Sequence, residues 1–201
     1  MKLKFLTKGL LFGSLFAIAM SCNNEAGGEG DGDTTATTGG DTSTSGAGAQ
    51  RAAHADITAT KSDTAGQGTA HFTQKDDGTV ELELQISFPT MANKSVAVHL
   101  HEHGDCGNAG NEAHGHWNPT NESHGKWGDG QYHSGDIGNV ELNGEGKGEF
   151  KVSTNRWTIG GDEKTNILNR AVIVHSGVDD YKTQPTGNAG SRIGCGVISG
   201  M

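Results

Sequence analysis

The chain has 201 residues, with 24 acidic and 15 basic side chains and a formal net charge of −9 at pH 7. This charge argues against a nucleic-acid-binding protein, because such proteins present basic surfaces to phosphate. The length allows one domain of about 150 residues with additional segments, and a composition of 33 glycines, 3 prolines and 5% aromatic residues favours a loop-rich β protein over a helical one.

The first 21 residues have the features of a secretory leader. Three lysines precede an uncharged apolar run at 9–20, which is shorter than the roughly 20 residues that a membrane span needs and is typical of a signal peptide. Cys22 follows a sequence that resembles a bacterial lipobox. We therefore predict that 1–21 is a lipoprotein signal peptide and that Cys22 is lipidated, which would anchor the protein to a membrane of the cell envelope, facing the periplasm or the cell surface. An ordinary secretory signal with an incidental cysteine is the alternative.

A polar segment follows the leader. Residues 23–50 contain five acidic residues, no basic residue and no aromatic residue, and are otherwise mostly Gly, Thr, Ser and Ala. Such a composition cannot bury enough apolar surface to fold. We predict that 22–52 is a disordered tether with a root-mean-square span of about 30 Å, and that 53–201 is the folded domain.

The folded domain begins with an alternation of apolar and polar residues that is typical of β-strands. Hairpin turns are predicted at 76–78 and 143–146, and no window has a convincing helical repeat. The stretch 104–132 has no periodicity, and a loop of that length in a compact domain is usually functional or held in place. Eight strands are predicted, at 55–59, 69–73, 80–88, 95–102, 137–142, 148–153, 171–175 and 192–199.

Two cysteines, Cys106 and Cys195, belong to the predicted domain. An even pair in an exported protein favours a disulfide. Two free buried thiols are the alternative.

Seven residues of the domain have spacings that suit metal binding. Two sites result if one histidine is shared, whereas a single four-coordinate site would leave three of the residues unused. The residues are His99, His101, His116, His124, His133, Asp136 and His175.

The spacing divides these residues into two groups. His99 and His101 are two apart on a strand, so their side chains leave the same face; with His175 they form a set of imidazoles that suits copper or zinc. The other group ends in Asp136 and, with three histidines, has the composition of a tetrahedral zinc site. His116 lies between the groups in sequence and is the natural candidate for sharing, although His114 offers a competing bridge.

Several segments of the chain resemble copper/zinc superoxide dismutases. The offsets from His116 to the next three candidate ligands are 8, 17 and 20 residues, which match that family, and the Trp-Asn-Pro after His116 favours it over His114 as the bridge. The resemblance covers roughly 53–200. The five-residue step from His101 to Cys106 resembles the bacterial branch of the family, and the predicted leader indicates a lipoprotein member of that branch. The segments are His99-Leu-His101-Glu-His-Gly-Asp-Cys106, His116-Trp-Asn-Pro119, His133-Ser-Gly-Asp136-Ile-Gly-Asn139, Val174-His175 and Gly187-Asn-Ala-Gly-Ser-Arg192-Ile-Gly-Cys195-Gly-Val-Ile198.

The resemblance and the alternation together imply an all-β fold, an eight-stranded antiparallel Greek-key flattened barrel or immunoglobulin-like sandwich with long metal-binding loops. The resemblance also implies one copper and one zinc ion per subunit. The implied copper ligands are His99, His101, His116 and His175; the implied zinc ligands are His116, His124, His133 and Asp136, with His116 bridging the ions.

Other residues gain roles from the same resemblance. Asp179 would link a copper histidine to a zinc histidine and fix both rings. Arg192 and Thr186 correspond to the arginine and threonine of the substrate channel, and the cysteines to the family disulfide, which anchors the metal loop to the last strand. The loop at 180–187 is shorter than in many members of the family, and the effect of this difference on the rate of superoxide turnover is an open question. Four histidines have no counterpart and are interpreted as surface or loop residues: His54, His71, His103 and His114.

The implied activity is the conversion of two superoxide ions into oxygen and hydrogen peroxide, which would protect the cell envelope from oxidative damage. In this activity copper alternates between its cupric and cuprous states, Arg192 attracts the anionic substrate, and His116 donates a proton as a general acid. A non-catalytic copper/zinc-binding lipoprotein that buffers or delivers copper is the main alternative, and a sandwich whose metals only order its loops is another. The protein could be a monomer or a homodimer.

Overall fold

The computed structural model describes residues 51–62 and 64–201. The predicted signal peptide, the predicted lipidation site at Cys22 and most of the predicted tether lie outside the described residues. None of the helices in the described ranges has the length and apolar character to cross a membrane.

Nine β-strands, all paired antiparallel, form one continuous sheet in the described part of the chain. Three short helical segments, α1 at Gly107–Gly110 and two 3-10 turns at Pro89–Met91 and Asn111–Ala113, lie in the connections. The strands are β1 Ala52–Ala59, β2 Gln67–Gln74, β3 Val80–Ser87, β4 Ser95–His101, β5 Gly138–Glu141, β6 Lys147–Thr154, β7 Ala171–His175, β8 Arg192–Val197 and β9 Ser199–Gly200.

The order of the strands in the sheet is β5-β4-β7-β8-β1-β2-β3-β6, and β9 pairs with β1. The two end strands, β5 and β6, are joined by the 143–146 hairpin and lie against each other. A Cβ atom added at Gly148 of β6 would come within 2.7 Å of the Glu141 carbonyl oxygen in β5, so glycine permits this close approach. Strands β1 to β8 therefore form a nearly closed antiparallel barrel, which confirms the predicted fold class.

The predicted strands correspond to β1–β8, with small differences at their ends. β1 begins at Ala52, three residues before the predicted strand and one before the predicted start of the domain. The last predicted strand divides at Ile198 into β8 and β9. A two-residue strand such as β9 is too short for its alternation to be recognised in the sequence.

The interior of the barrel is built by strands that alternate in burial. In β3, Val80, Leu82, Leu84 and Ile86 are buried while the residues between them are more exposed. Each aliphatic side chain buried in this way contributes roughly 1.5–3 kcal/mol. The core also includes aliphatic residues of β1, β4 and β7, and among its members are Ile57, Leu82, Leu84, Ile86, Val96, Val98, Val172 and Val174.

Strand β4 and strand β7 are buried on both faces. In β4, Val96, Val98 and Leu100 face the interior core, so the alternate residues His99 and His101 face the opposite side. The long connections of the chain cover that side. The histidines therefore lie on a rigid strand beneath loops, out of contact with solvent.

Candidate metal centre

The structure brings the seven predicted metal ligands together. All seven are buried, with an exposed fraction of 5% or less. They form two groups that share His116, and within each group one nitrogen or oxygen atom per residue lies within 4.8 Å of the others. The first group is His99, His101, His116 and His175; the second group is His116, His124, His133 and Asp136.

Strand pairing places the first group. His99 and His101 lie opposite residues of β7 in the sheet, and His175 is the last residue of that strand. An isolated antiparallel bridge pairs His101 with His116. As a result the ring centroids of His99 and His116 are 3.9 Å apart, although the two residues belong to different parts of the chain.

The hydrogen bonds of His101 and His175 leave one free nitrogen on each ring. His101 Nδ1 donates to the His114 carbonyl at 2.9 Å, and His175 Nδ1 donates to the Gly190 carbonyl at 3.3 Å. Both Nε2 atoms therefore carry lone pairs, yet they lie only 3.4 Å apart. Two acceptors cannot bond to each other, so a cation between them fits this contact.

Four further ring nitrogens in the two groups have no hydrogen-bond partner. Buried polar atoms without a partner are costly. In the second group, Nδ1 of His124 and Nδ1 of His133 lie 3.0 and 3.3 Å from the Asp136 carboxylate, but without the alignment of a hydrogen bond. Atoms that are close without pointing at one another suit ligands of a shared cation. The unpaired nitrogens are His99 Nδ1, His116 Nε2, His124 Nδ1 and His133 Nδ1.

Asp179 joins the two groups. Its carboxylate accepts a hydrogen bond from His99 Nε2 at 2.8 Å and from His124 Nε2 at 2.9 Å. Because both rings donate through Nε2, their Nδ1 atoms keep the lone pair that a metal requires. The backbone N–H of Asp179 donates to the side chain of Asn139, and the Asn139 amide donates to the Asp179 carbonyl, which fixes the carboxylate between the rings.

Burial keeps the four histidines of the first group neutral. Burial lowers the pKa of His116 to about 4 and holds the pKa of His101 and His175 well below the ordinary value of 6.5. The pKa of His99 is lowered as well, again mainly by burial. These rings are therefore neutral at pH 7, which is the form that binds metals.

The second group is more polar. Burial lowers the pKa of His124, but the adjacent carboxylates of Asp136 and Asp179, the latter hydrogen-bonded to its Nε2, outweigh burial and raise the pKa to about 9. Burial raises the pKa of Asp136, but the hydrogen bond from His116 and the nearby rings of His124 and His133 hold it far below its ordinary range. A dense negative charge at Asp136 thus attracts either a proton on His124 or a metal ion.

Arg192 lies beside the first group. It is opposite His175 in the β7–β8 pair, at an irregularity in the register. Its guanidinium donates hydrogen bonds to the backbone carbonyls of Gly110 and His114. The same His114 carbonyl accepts from His101. Burial lowers the pKa of Arg192, but an arginine remains charged at pH 7, so a fixed cation stands next to His101.

The predicted disulfide is confirmed. Cys106 and Cys195 are joined with an S–S distance of 1.99 Å and a Cα–Cα distance of 5.7 Å. The bond ties the loop at 106–114 to β8. It thereby holds the two carbonyls that position Arg192, the third residue before Cys195.

Thr186 is half-buried in the short loop at 180–187, next to Gly187. Gly187 has a φ of 65°, and a Cβ atom there would collide with the carboxylate of Asp179 and crowd the His124 ring. The loop therefore passes very close to the second group, and glycine is required for it to do so.

The sequence did not predict several residues whose contacts position the connection between β4 and β5, which carries His116, His124 and His133. Gln184 binds the backbone of His124. Arg156 forms an ion pair with Glu122 at 2.5 Å and lies over the ring of Tyr132 at 4.1 Å. Each contact joins residues at least 24 positions apart, and such pairs cannot be predicted from local spacing in the sequence.

Comparison with known proteins identifies the family. A family model described as copper/zinc superoxide dismutase matches residues 66–198. The chain belongs to the copper/zinc superoxide dismutase family. It is 34% identical over 151 residues to a Cu-Zn superoxide dismutase of Candida albicans. The matched region covers 71% of this chain and 95% of that protein.

Two other similarities agree with this membership. An extracellular Cu-Zn superoxide dismutase of Caenorhabditis elegans is 36% identical over 123 residues, 58% of this chain and 55% of that protein. The crystal structure of the clock protein EA4 matches with a TM-score of 0.63 and 32% identity, covering 74% of this chain and 93% of that one.

Proposed function

We propose that this protein is a superoxide dismutase that binds copper in the first group and zinc in the second. The observation that carries the proposal is the position of His116, whose ring belongs to both groups. Its Nδ1 lies 2.8 Å from Asp136, while its Nε2 is buried without a partner. One imidazole ring thus offers a nitrogen to each of two cations, and copper when bound supplies the reversible one-electron chemistry that superoxide dismutation requires.

His116 also supplies a proton in this proposal. Its Nε2 can hold a proton while Nδ1 stays fixed on the side of Asp136. That Nε2 is buried without a protein partner, so a proton held there can pass to the peroxide product, and the ring acts as a general acid.

Arg192 guides the substrate. Superoxide is an anion, and the formal charge of −9 repels it at long range. A fixed cation beside His101 reverses the local potential and orients the anion. We propose that Thr186 lines the same entrance, since it lies in the short loop that approaches the second group.

The complete set of metal ligands and the anchored arginine favour catalysis over simple metal buffering. The test is superoxide consumption by protein loaded with copper and zinc, compared with the same protein after a chelator has removed both ions. We expect consumption far above the buffer rate that disappears on chelation. Consumption by the loaded protein at the buffer rate would instead support a copper-buffering or copper-delivering role.

We propose that 1–21 is a lipoprotein signal peptide and that lipidated Cys22 anchors the domain through the tether at 22–52 to a membrane of the cell envelope, where it removes superoxide. A disulfide is typical of proteins outside the reducing cytosol, which supports export. Replacement of Cys22 by serine should move the protein from the membrane fraction to the soluble fraction and abolish fatty-acid labelling. Wild-type protein that is soluble and unlabelled would contradict the anchor.

A further inference from the structure

A third cluster of possible metal ligands lies outside the two buried groups. The third group consists of Glu102, His103 and His114, whose candidate ligand atoms all lie within 4.8 Å of one another. The ring centroids of its two histidines are 4.3 Å apart. All three residues are exposed, so the cluster is open to solvent.

Backbone pairing beyond the end of β4 creates the third group. The bridge between His101 and His116 continues outward, with Glu102 N–H donating to the Gly115 carbonyl at 3.0 Å and His103 N–H donating to the Ala113 carbonyl at 3.2 Å. In this antiparallel register His103 lies opposite His114. Directly opposed residues have neighbouring side chains, so the pairing of the two rings follows from the fold.

His114 is held in place by its own backbone. It has a φ of 61° and a ψ of −140°, a conformation that non-glycine residues seldom adopt. Its carbonyl accepts hydrogen bonds from His101 Nδ1 and from Arg192. Two hydrogen bonds therefore fix the backbone from which the His114 ring projects, which reduces the entropy that metal binding would cost.

The ligand atoms of the third group are free to bind. In the described ranges, the side chains of Glu102, His103 and His114 take part in no hydrogen bond and no ion pair with protein. Two arginines contact the backbone of the group: Arg170 donates to the Glu102 carbonyl at 2.6 Å, and Arg192 donates to the His114 carbonyl. A carboxylate and two imidazoles that converge without protein partners form a donor set for a transition metal.

We propose that Glu102, His103 and His114 form a third metal site, which reversibly binds a divalent zinc or copper ion at the surface. Imidazole ligands suit both ions, and carboxylate is a common zinc ligand. Three protein ligands leave the remaining coordination positions to water, and exposure lets the ion exchange. The third site is therefore weaker than the two buried groups, and the ion it holds stands just outside His101 and Arg192.

The experiment counts metal ions in protein whose buried groups are already filled with copper and zinc. Equilibrium dialysis against Zn²⁺ alone, followed by elemental analysis, should show one further zinc per chain in the wild type. In His103→Gln and His114→Asn this third equivalent should be weakened at least about 10- to 100-fold, the loss that removal of an outer-shell partner alone can cause. Asparagine is used at 114 because it tolerates positive φ.

His71→Gln is the matched control, because His71 is another exposed histidine at the surface of the barrel. The control should keep the third equivalent, and all variants should keep both tightly bound ions. A parallel titration with Cu²⁺, read by electron paramagnetic resonance, should add a second copper signal in the wild type and the control only.

Three results would overturn the third site. One is the absence of a further equivalent in the wild type. Another is equal binding by His103→Gln and the wild type. The third is equal binding by His114→Asn and the wild type, because the site requires both rings.

Discussion

Gln184 holds both backbone polar groups of His124. Its side-chain carbonyl accepts a hydrogen bond from His124 N–H at 2.9 Å, and its amide donates to the His124 carbonyl, also at 2.9 Å. The two residues are 60 positions apart. Gln184, in the short loop at 180–187, thus fixes the backbone of His124. This positions the His124 ring, whose Nδ1 is the candidate metal ligand of the second group.

Replacement of Gln184 by alanine should weaken zinc binding. The change removes both hydrogen bonds and frees the backbone of His124, and loss of such a supporting partner typically costs about 10- to 100-fold in metal affinity. Competition with a chelator measures the zinc affinity, and Gln85→Ala, a change on the exposed side of β3, is the control. Equal zinc affinity in the two variants would show that the loop does not position His124.

Replacement of Arg192 by alanine should slow superoxide consumption while the copper content stays the same. The guanidinium is anchored beside the first group without being one of its proposed ligands, and a local positive charge raises the encounter rate of an anion by about 10-fold or more. The rate of the wild type should also fall steeply with ionic strength, whereas that of the variant should not. An unchanged rate in Arg192→Ala would remove the steering role.

Opening the disulfide should affect both stability and turnover. The bond between Cys106 and Cys195 spans 89 positions, and closing a loop of that length stabilises a fold by about 4–5 kcal/mol in the chain-entropy description. The double replacement Cys106→Ser and Cys195→Ser should lower the free energy of unfolding in urea accordingly. It should also lower turnover, because the Gly110 and His114 carbonyls lose the anchor through which they hold Arg192.

Acid should destabilise the metal-free protein through His116. Its pKa is about 4 in the folded state and about 6.5 when unfolded, so the unfolded chain takes up a proton at a higher pH than the folded one. Stability is therefore lost as the pH falls from about 6.5 to about 4, by about 3 kcal/mol for this residue. Urea unfolding of metal-free protein at several pH values measures this loss, and a flat profile across the window would contradict it.

His124 has the opposite effect on the metal-free protein. Because its pKa is raised to about 9 in the folded state, its contribution to stability is complete below about pH 6.5 and is lost as the pH rises through about 9. The metal-free protein should thus be most stable near pH 6.5. The loss of stability on the alkaline side should become smaller in Asp179→Asn, because Asp179 is one of the two carboxylates that raise the pKa of His124.

Much of the fold could be predicted because burial on one face leaves a period of two in the sequence. β3 shows this most clearly, with buried Val80, Leu82 and Leu84 alternating with charged residues. The candidate metal ligands were predicted from histidine spacing and from the resemblance, and His99, His101 and His175 also lie on recognisable strands.

Other features could not be predicted, because they depend on contacts between distant parts of the chain. Gln184 has no spacing signal that links it to His124. The pairing of His103 with His114 follows from the bridge between His101 and His116, which no local pattern reveals. The His114 carbonyl accepts hydrogen bonds from His101 and Arg192. It does so in a backbone conformation that cannot be predicted from the sequence.

The central claim is that the His116 ring binds two different ions. A crystal structure of the protein loaded with copper and zinc, with anomalous data at both metal edges, tests it most directly. We predict zinc at His116 Nδ1, beside Asp136, and copper at His116 Nε2, among His99, His101 and His175. A fully loaded protein in which either nitrogen of His116 is free of metal would contradict the account.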